Sequence, residues 1–174
     1  MAWTTSEDLV DKVKAYLNTN FGAKATALNS EYDDGISISA PGVYIVGEIP
    51  LQHVNKWPSC YIFADSATFS PFAMAAAGTG NLDASVELTV GVLDKSVPSN
   101  GDALRRKGYR YVRAIYELII EASVGGGLTD ATNGGWVVEA QIEATYTPLQ
   151  TPSGSTMFAD SHITSSFQRR EVKA

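Results

Sequence analysis

The residues best equipped for chemistry are few and scattered. A single cysteine, Cys60, stands in the run WPSCYIFAD, and the two histidines, His53 and His162, lie far apart in the chain. A reactive thiol needs a base and an electropositive setting that favours the thiolate. Cys60 instead sits among apolar residues of strand character, which predicts a buried, inert thiol that packs as a small hydrophobe. It has no second cysteine with which to form an internal disulfide. Neither histidine has a ligand partner at i+3 or i+4, so no bound metal is expected.

The carboxylates are no more suggestive. Asp33 and Asp34 precede Gly35 and read as turn chemistry. Glu139 and Glu143 share one face of an alternating segment, but at the usual strand rise they are about 13 Å apart, too far for a carboxylate dyad. The run VGGGLTDATNGG lacks the Gly-Lys-Ser/Thr ending of a phosphate cradle and joins a helix to a strand, the reverse of what a cradle needs. GTGNLD fails the dinucleotide pattern, and no serine has a nucleophile-elbow context. The expectation is a protein that is not an enzyme and uses no cofactor; catalysis through Cys60 is the alternative that thiol labelling addresses.

One concentration of charge remains. The segment ALRRKGYRYVRAIYELIIEAS (103–123) carries Arg105, Arg106, Lys107, Arg110 and Arg113 in its first part and is apolar or acidic afterwards. On a helix these cations lie toward the N-terminal end, where the dipole favours negative charge. Arg106, Arg110 and Arg113 form one stripe by three- and four-residue spacing. The stripe reads either as a solvated face pairing with Asp102 and Glu117, or as a charged rim meeting an acidic surface such as Glu139 and Glu143 of a neighbouring copy, or as part of a DNA-carrying portal. A net charge of −6 over 174 residues argues against a dedicated nucleic-acid binder.

The elements that must position these groups follow from periodicity. An N-terminal helix begins after Thr5 or Ser6, with Glu7 and Asp8 in its first turn and Leu9, Val10, Val13, Tyr16 and Leu17 on its buried face; NTNFG, with Gly22, is expected to stop it. GISISA (35–40) and VYIVGEI (43–49) read as short strands about a Pro41-Gly42 turn, CYIFADSATF (60–69) and ASVELTVGVLD (84–94) as longer ones. Between the latter lies a long small-residue connection, with Phe72 and Met74 near its start. The second helix buries Leu104, Tyr111, Ile115, Leu118, Ile119 and Ala122, and Gly108 within it marks either a close contact or a later start. WVVEAQIEATYTP alternates with Trp136, Val138, Ala140, Ile142, Ala144 and Tyr146 on one face, and HITSSFQRREV, with Arg169 and Arg170, reads as an edge strand or an extended tail.

This order predicts a single α+β domain over residues 1–174. An antiparallel or mixed sheet is covered on one face by the N-terminal helix and a second long helix. Flexible loops are expected at about 70–83 and 124–135, and a C-terminal strand or arm at 162–174. No apolar run approaches the ~18 residues of a membrane helix, and the acidic, amphipathic start lacks the features of a signal peptide, so synthesis in a cytoplasm and no membrane partner are expected.

The N-terminal helix, the WPSCYIFAD strand, the VELTVGVLD strand and then the helix D-A-L-x-x-K-x-Y-R-Y-V-R-A-I together resemble the tail terminator, or tail completion, proteins of long-tailed bacteriophages. The resemblance covers roughly residues 6–121, with WVVEAQIEATYTP as a continuation. It implies a structural protein of the virion tail or neck, made in the bacterial cytoplasm. It further implies a ring, commonly of six subunits, that caps the tail tube, stops its polymerisation and joins it to the neck or head-completion connector. DNA passes through the lumen of such a ring without sequence-specific binding. A head-side neck or stopper protein of the same junction is the related alternative. A small ligand- or peptide-binding module, suggested by Trp57, Tyr61 and Phe63, is the alternative of another class. The subunit or partner contacts expected on this basis are Arg105, Arg106, Arg110, Arg113, Glu139, Glu143, Phe72, Met74, Arg169 and Arg170.

Overall fold

A computed structural model describes residues 5–47, 53–74, 80–130, 134–150 and 154–173. Two helices and a five-stranded mixed sheet form its frame, in the order α1 (Ser6–Tyr32), β1 (Val43–Val46), β2 (Ser59–Met74), β3 (Gly80–Ser96), α2 (Gly101–Val124), β4 (Thr129–Asp130), β5 (Gly134–Gly135), β6 (Val137–Tyr146) and β7 (Met157–Lys173). The sheet order is β1-β2-β3-β7-β6, with β4 and β5 a separate small pair. β1 is parallel to β2; the other neighbours are antiparallel.

The first helix does not stop at Gly22. The three- and four-residue spacing continues through Phe21, Ala25 and Leu28, all buried. Burying two large side chains and an alanine outweighs the roughly 1 kcal/mol that a helical glycine costs. The helix ends instead at the DDG turn, where Asp33 is left-handed (φ 42°) and its N–H bonds the Asn29 carbonyl at 3.1 Å. GISISA is not a strand: Asn29 holds it as an extended connection, donating to the Ile38 carbonyl and accepting from the Ile38 N–H.

Both helices lie on one face of the sheet. Val86, Leu88, Val90 and Val92 of β3, Cys60 and Ile62 of β2, and Ile163 and Phe167 of β7 pack with the buried faces of α1 and α2 in one core. Gly108 is a close contact, because a Cβ there would meet the Ser161 hydroxyl of β7. No helix of the described residues is long and apolar enough to cross a membrane.

Three further expectations change. Residues 70–74 and 80–83, assigned to a flexible loop, are strand: β2 and β3 stay paired from Ser59↔Leu93 out to Met74↔Gly80. Pro71, Gly80 and Asn81, which favour turns, conceal the strand, and the remaining residues, 75–79, lie outside those described. The 124–135 segment is a tight turn followed by the β4–β5 pair, with Leu128 fully buried; residues 131–133 lie outside the description. The C-terminal segment is neither edge nor arm. β7 lies inside the sheet, paired with β3 along its whole length and with β6 on its other side. Its buried alternate positions are Ala159, Ser161, Ile163, Ser165, Phe167 and Arg169. Two serines and an arginine among them hide the period-two signal.

Candidate assembly surfaces

The basic stripe is held within the chain. Arg110 is 3% exposed. Its guanidinium bonds the Ile36 carbonyl and the Asp34 carboxylate and lies 4.2 Å from the centre of the Tyr32 ring. Arg113 bonds both oxygens of Glu31 at 2.7 and 2.9 Å, Glu117 at 2.7 Å and the Tyr32 hydroxyl at 3.1 Å. Lys24 of α1 reaches back to Glu117 and Glu121 of α2. The cations therefore meet the C-terminal end of α1, whose dipole and acidic residues suit positive charge. Arg106 pairs with Asp102 at 3.0 Å, and Arg105 donates to the Thr147 carbonyl at 2.7 Å. Arg110 cannot face a neighbouring copy, which corrects its assignment as a contact residue. The pairings with Asp102 and Glu117 are those of the solvated-face reading. No sequence spacing foretold that Glu31, Tyr32 and Asp34 would supply the rest.

These pairs carry a pH signature. Arg110 holds Asp34, and Arg113 holds Glu117, below the usual carboxylate range, the hydrogen bond being the largest cause in each. A carboxylate whose folded pKa is depressed stabilises the fold above its unfolded pKa and loses that contribution as pH falls through the folded value. The urea midpoint should therefore fall steadily as pH is lowered from about 5, the normal unfolded range of carboxylates. A flat profile from pH 6 to 3 would show the pairs to be inert.

Arg169 is 3% exposed, with its Nη1 3.2 Å from Asp8 of α1, which corrects its assignment as a contact residue as well. Arg170 is exposed and bonds Asp83 at 2.8 and 3.1 Å, which lowers the Asp83 pKa. Glu139 and Glu143 are both exposed, and Glu139 accepts from Gln168 at 2.6 Å. A bulge between Val138 and Ile142 shifts the pairing with β7 but keeps the alternation, with Val138, Ile142, Ala144 and Tyr146 on the helix face and Val137, Glu143 and Thr145 on the other. Phe72 and Met74 fall on β2, and their side chains lie outside the described set.

The face of the sheet opposite the helices is a surface that sequence reasoning did not single out. Residues directly across a strand pair share a face. Register therefore places Tyr61, Gly91, His162 and Thr145 in one row and Phe63, Thr89, Thr164 and Glu143 in the next. The Tyr61 hydroxyl donates to Asp160 at 2.7 Å, and His162 Nδ1 is 3.5 Å from the same oxygen. Thr89 donates to Asp65 at 2.5 Å and shares a 3.0 Å hydroxyl contact with Thr164. A recess of about 520 Å³ lies over these groups, bordered also by Glu87 and Leu93. Trp57 and Phe63 are half-buried against Val54, Tyr61 and Leu93 in a small second cluster. The face is mostly hydroxyl and carboxylate: Asp65, Asp83, Glu87, Glu143 and Asp160 outnumber Lys95, Arg170 and His162. The signal was present in VELTVGVL, whose alternate residues Glu87, Thr89 and Gly91 make this face.

Gly91 is required here by space. A Cβ would overlap the Tyr61 ring, which lies across the glycine, and the His162 Cβ. Gly91→Ala should cost about 1–3 kcal/mol, the usual penalty of overpacking, in denaturant unfolding. Adding Tyr61→Ala should recover part of that loss, since the two changes share one contact. Additive losses would mean that the ring is not the obstacle.

Cys60 is fully buried on the helix face, and burial pushes its thiol pKa up. Its thiol should resist Ellman's reagent in the native protein and react once urea unfolds the chain; rapid native labelling would contradict the packing. Among the described residues there is no group of three or more His, Cys, Asp or Glu side chains placed to hold a metal ion. The chain matches no protein-family model and no curated protein.

Proposed function

We propose that this chain is a structural virion-assembly protein of the tail-terminator kind. On this reading it forms a ring, six-membered by the resemblance, that caps the tail tube, ends its growth and joins it to the neck or head connector. The observation that carries the reading is the two-sided sheet. Its helices and apolar core lie on one face, and its other face is an open polar surface rich in carboxylates. A ring with helices outward would line its lumen with that second face. DNA phosphates would find few cations there and would slide. Tail-tube protein would meet one end of the ring and neck or connector protein the other.

Native mass spectrometry and electron microscopy of the purified protein, with immunogold labelling of virions, test this. Rings, or label at the head–tail junction, are the expected results. A chain that is monomeric at every concentration and absent from virions overturns it. A head-side neck or stopper ring is separated from a terminator by which side of the junction is labelled. The recess over Tyr61 and Phe63 favours a second reading, a small-ligand- or peptide-binding module. A specific thermal-shift stabiliser at micromolar concentration, with no assembly, would support that reading instead.

A further inference from the structure

Among the described residues the sheet has two edges of unequal length without a paired strand. Among the described residues β1 pairs with β2 over Val43↔Ser59 to Val46↔Ile62, and the Gly47 N–H bonds the Ile62 carbonyl at 2.9 Å. Among the described residues, no strand pairs with that side of β2 beyond Ile62, and none pairs with the outer side of β6. Unpaired edges of this length invite strand addition. We propose that copies of this chain join head to tail by strand addition, the free edge of β2 in one copy docking on the outer edge of β6 in the next, with Phe69 seated in the groove between α2 and β6.

Three observations select this arrangement. The first is direction. β2 and β7 run one way and β3 and β6 the other. A second copy in the same orientation therefore brings its β2 antiparallel to β6, with all helices on one side of the continued sheet. The second is shape. Phe69 is opposite the buried Ala84, so it lies on the helix face of β2, yet it is 42% exposed. On the β6 side, a groove of about 480 Å³ is lined by Tyr116, Ile120, Val124, Val137 and Ile142, of which Tyr116, Val124 and Val137 are exposed large apolar groups. Following the strand pairings across the sheet, Ala67 lies level with Val86, Phe167 and Val138. Phe69, two residues further on, is level with Ala84, Arg169 and Trp136, so in a neighbour docked without shear it arrives beside Trp136 and Val137, at the groove wall. The third is charge. Pairing β6 with a second β6 about a two-fold axis would bring Glu139 and Glu143 of one copy against those of the other, and like charges across a strand pair are unfavourable. The free part of β2, residues 63–70, carries one acid, Asp65, where a second β6 would bring two, so it sets fewer like charges against Glu139 and Glu143. The bulge in β6 and Pro71 in β2 limit other registers, as edge-protecting devices do.

Such a contact is heterologous, so it closes into a ring or propagates as a filament. It names the subunit contact of the ring proposed above and rests on that reading for closure; the edge contact is tested by itself. Chains carrying Phe69→Cys and differently tagged chains carrying Val124→Cys are mixed and oxidised, with the buried native Cys60 left in place. The expected product is a disulfide heterodimer of the two variants. A homodimer of Val124→Cys chains, with no heterodimer, would overturn the proposal in favour of a two-fold contact. Absence of any cross-link in protein that sedimentation shows to be assembled, or that stays monomeric at millimolar concentration, would overturn it as well. In a second arm, Phe69→Lys should weaken self-association about tenfold or more, as loss of a buried aromatic anchor does, without lowering the melting temperature of the monomer. Unchanged association would also overturn the proposal. A cross-linked head-to-tail assembly absent from virions would leave the contact standing and remove the tail-terminator reading. Virion rings without the cross-link would do the reverse.

Discussion

Trp136→Ala should remove about 3–5 kcal/mol of stability, the usual cost of deleting a buried large aromatic. Trp136 is 1% exposed, and its ring fills the space where α1, the β4–β5 turn and β7 meet. Its indole N–H donates to Asp8 Oδ2 at 3.1 Å, and its backbone N–H bonds the Leu128 carbonyl at 3.1 Å. The same Asp8 oxygen receives Lys12 at 3.0 Å and Arg169 at 3.2 Å. The Arg169 guanidinium lies 5.9 Å from the Trp136 ring centre. Truncation thus opens a cavity and takes packing from one side of a partly buried ionic cluster. Against a typical total of about 5–15 kcal/mol, such a loss is a large fraction of the stability. The melting temperature should drop by roughly 10 °C for a chain of this size. Trp136→Phe keeps most of the volume and should cost only about 1–2 kcal/mol for the lost hydrogen bond. Equal losses for the two variants in urea titrations would show that the bond, and not the packing, dominates.

The second large effect concerns the arginines. Arg110→Glu should unfold the chain or lower its stability by about 3–5 kcal/mol, because a buried charge is left without its partner. The new carboxylate would lie beside Asp34, and the Ile36 carbonyl would lose its donor. Arg113→Glu should cost only about 1 kcal/mol, since its pairs are partly hydrated and surface ion pairs contribute little. Circular dichroism melts of the two variants check this split. If both variants melted like the parent, the stripe would be a free surface after all, and its expected role in docking would return. The contrast matters for any assembly experiment. A loss of assembly in an Arg110 variant reports on folding, whereas the Phe69 and Val124 variants change side chains already exposed in the monomer.

The charge at the start of α2 shows where local reading ends. On an isolated helix the cations oppose the dipole. In the fold they meet the C-terminal end of α1 and its Glu31, Tyr32 and Asp34, residues 74–82 positions away in sequence. The conflict is local and its resolution is tertiary. The same holds for β7. Ser161 and Ser165 look like surface residues, but Ser161 is the small group that lets Gly108 approach, and Arg169 is buried because Asp8 accompanies it.

By itself the sequence determined the α+β class, the apolar faces of both helices, the buried thiol and the core face of β3. Each follows from periodicity or composition within about a dozen residues, where the side chains that decide the matter are neighbours. Only the tertiary structure decided the rest. It carried α1 past Gly22, because Phe21, Ala25 and Leu28 find a core to bury in. It placed β7 inside the sheet and, among the described residues, left the outer side of β6 and the far part of β2 without a paired strand, because strand order depends on pairing between segments up to about ninety residues apart. It also turned the arginine stripe inward and the carboxylate face outward, since which face of a strand or helix meets solvent is settled by what packs against the other one.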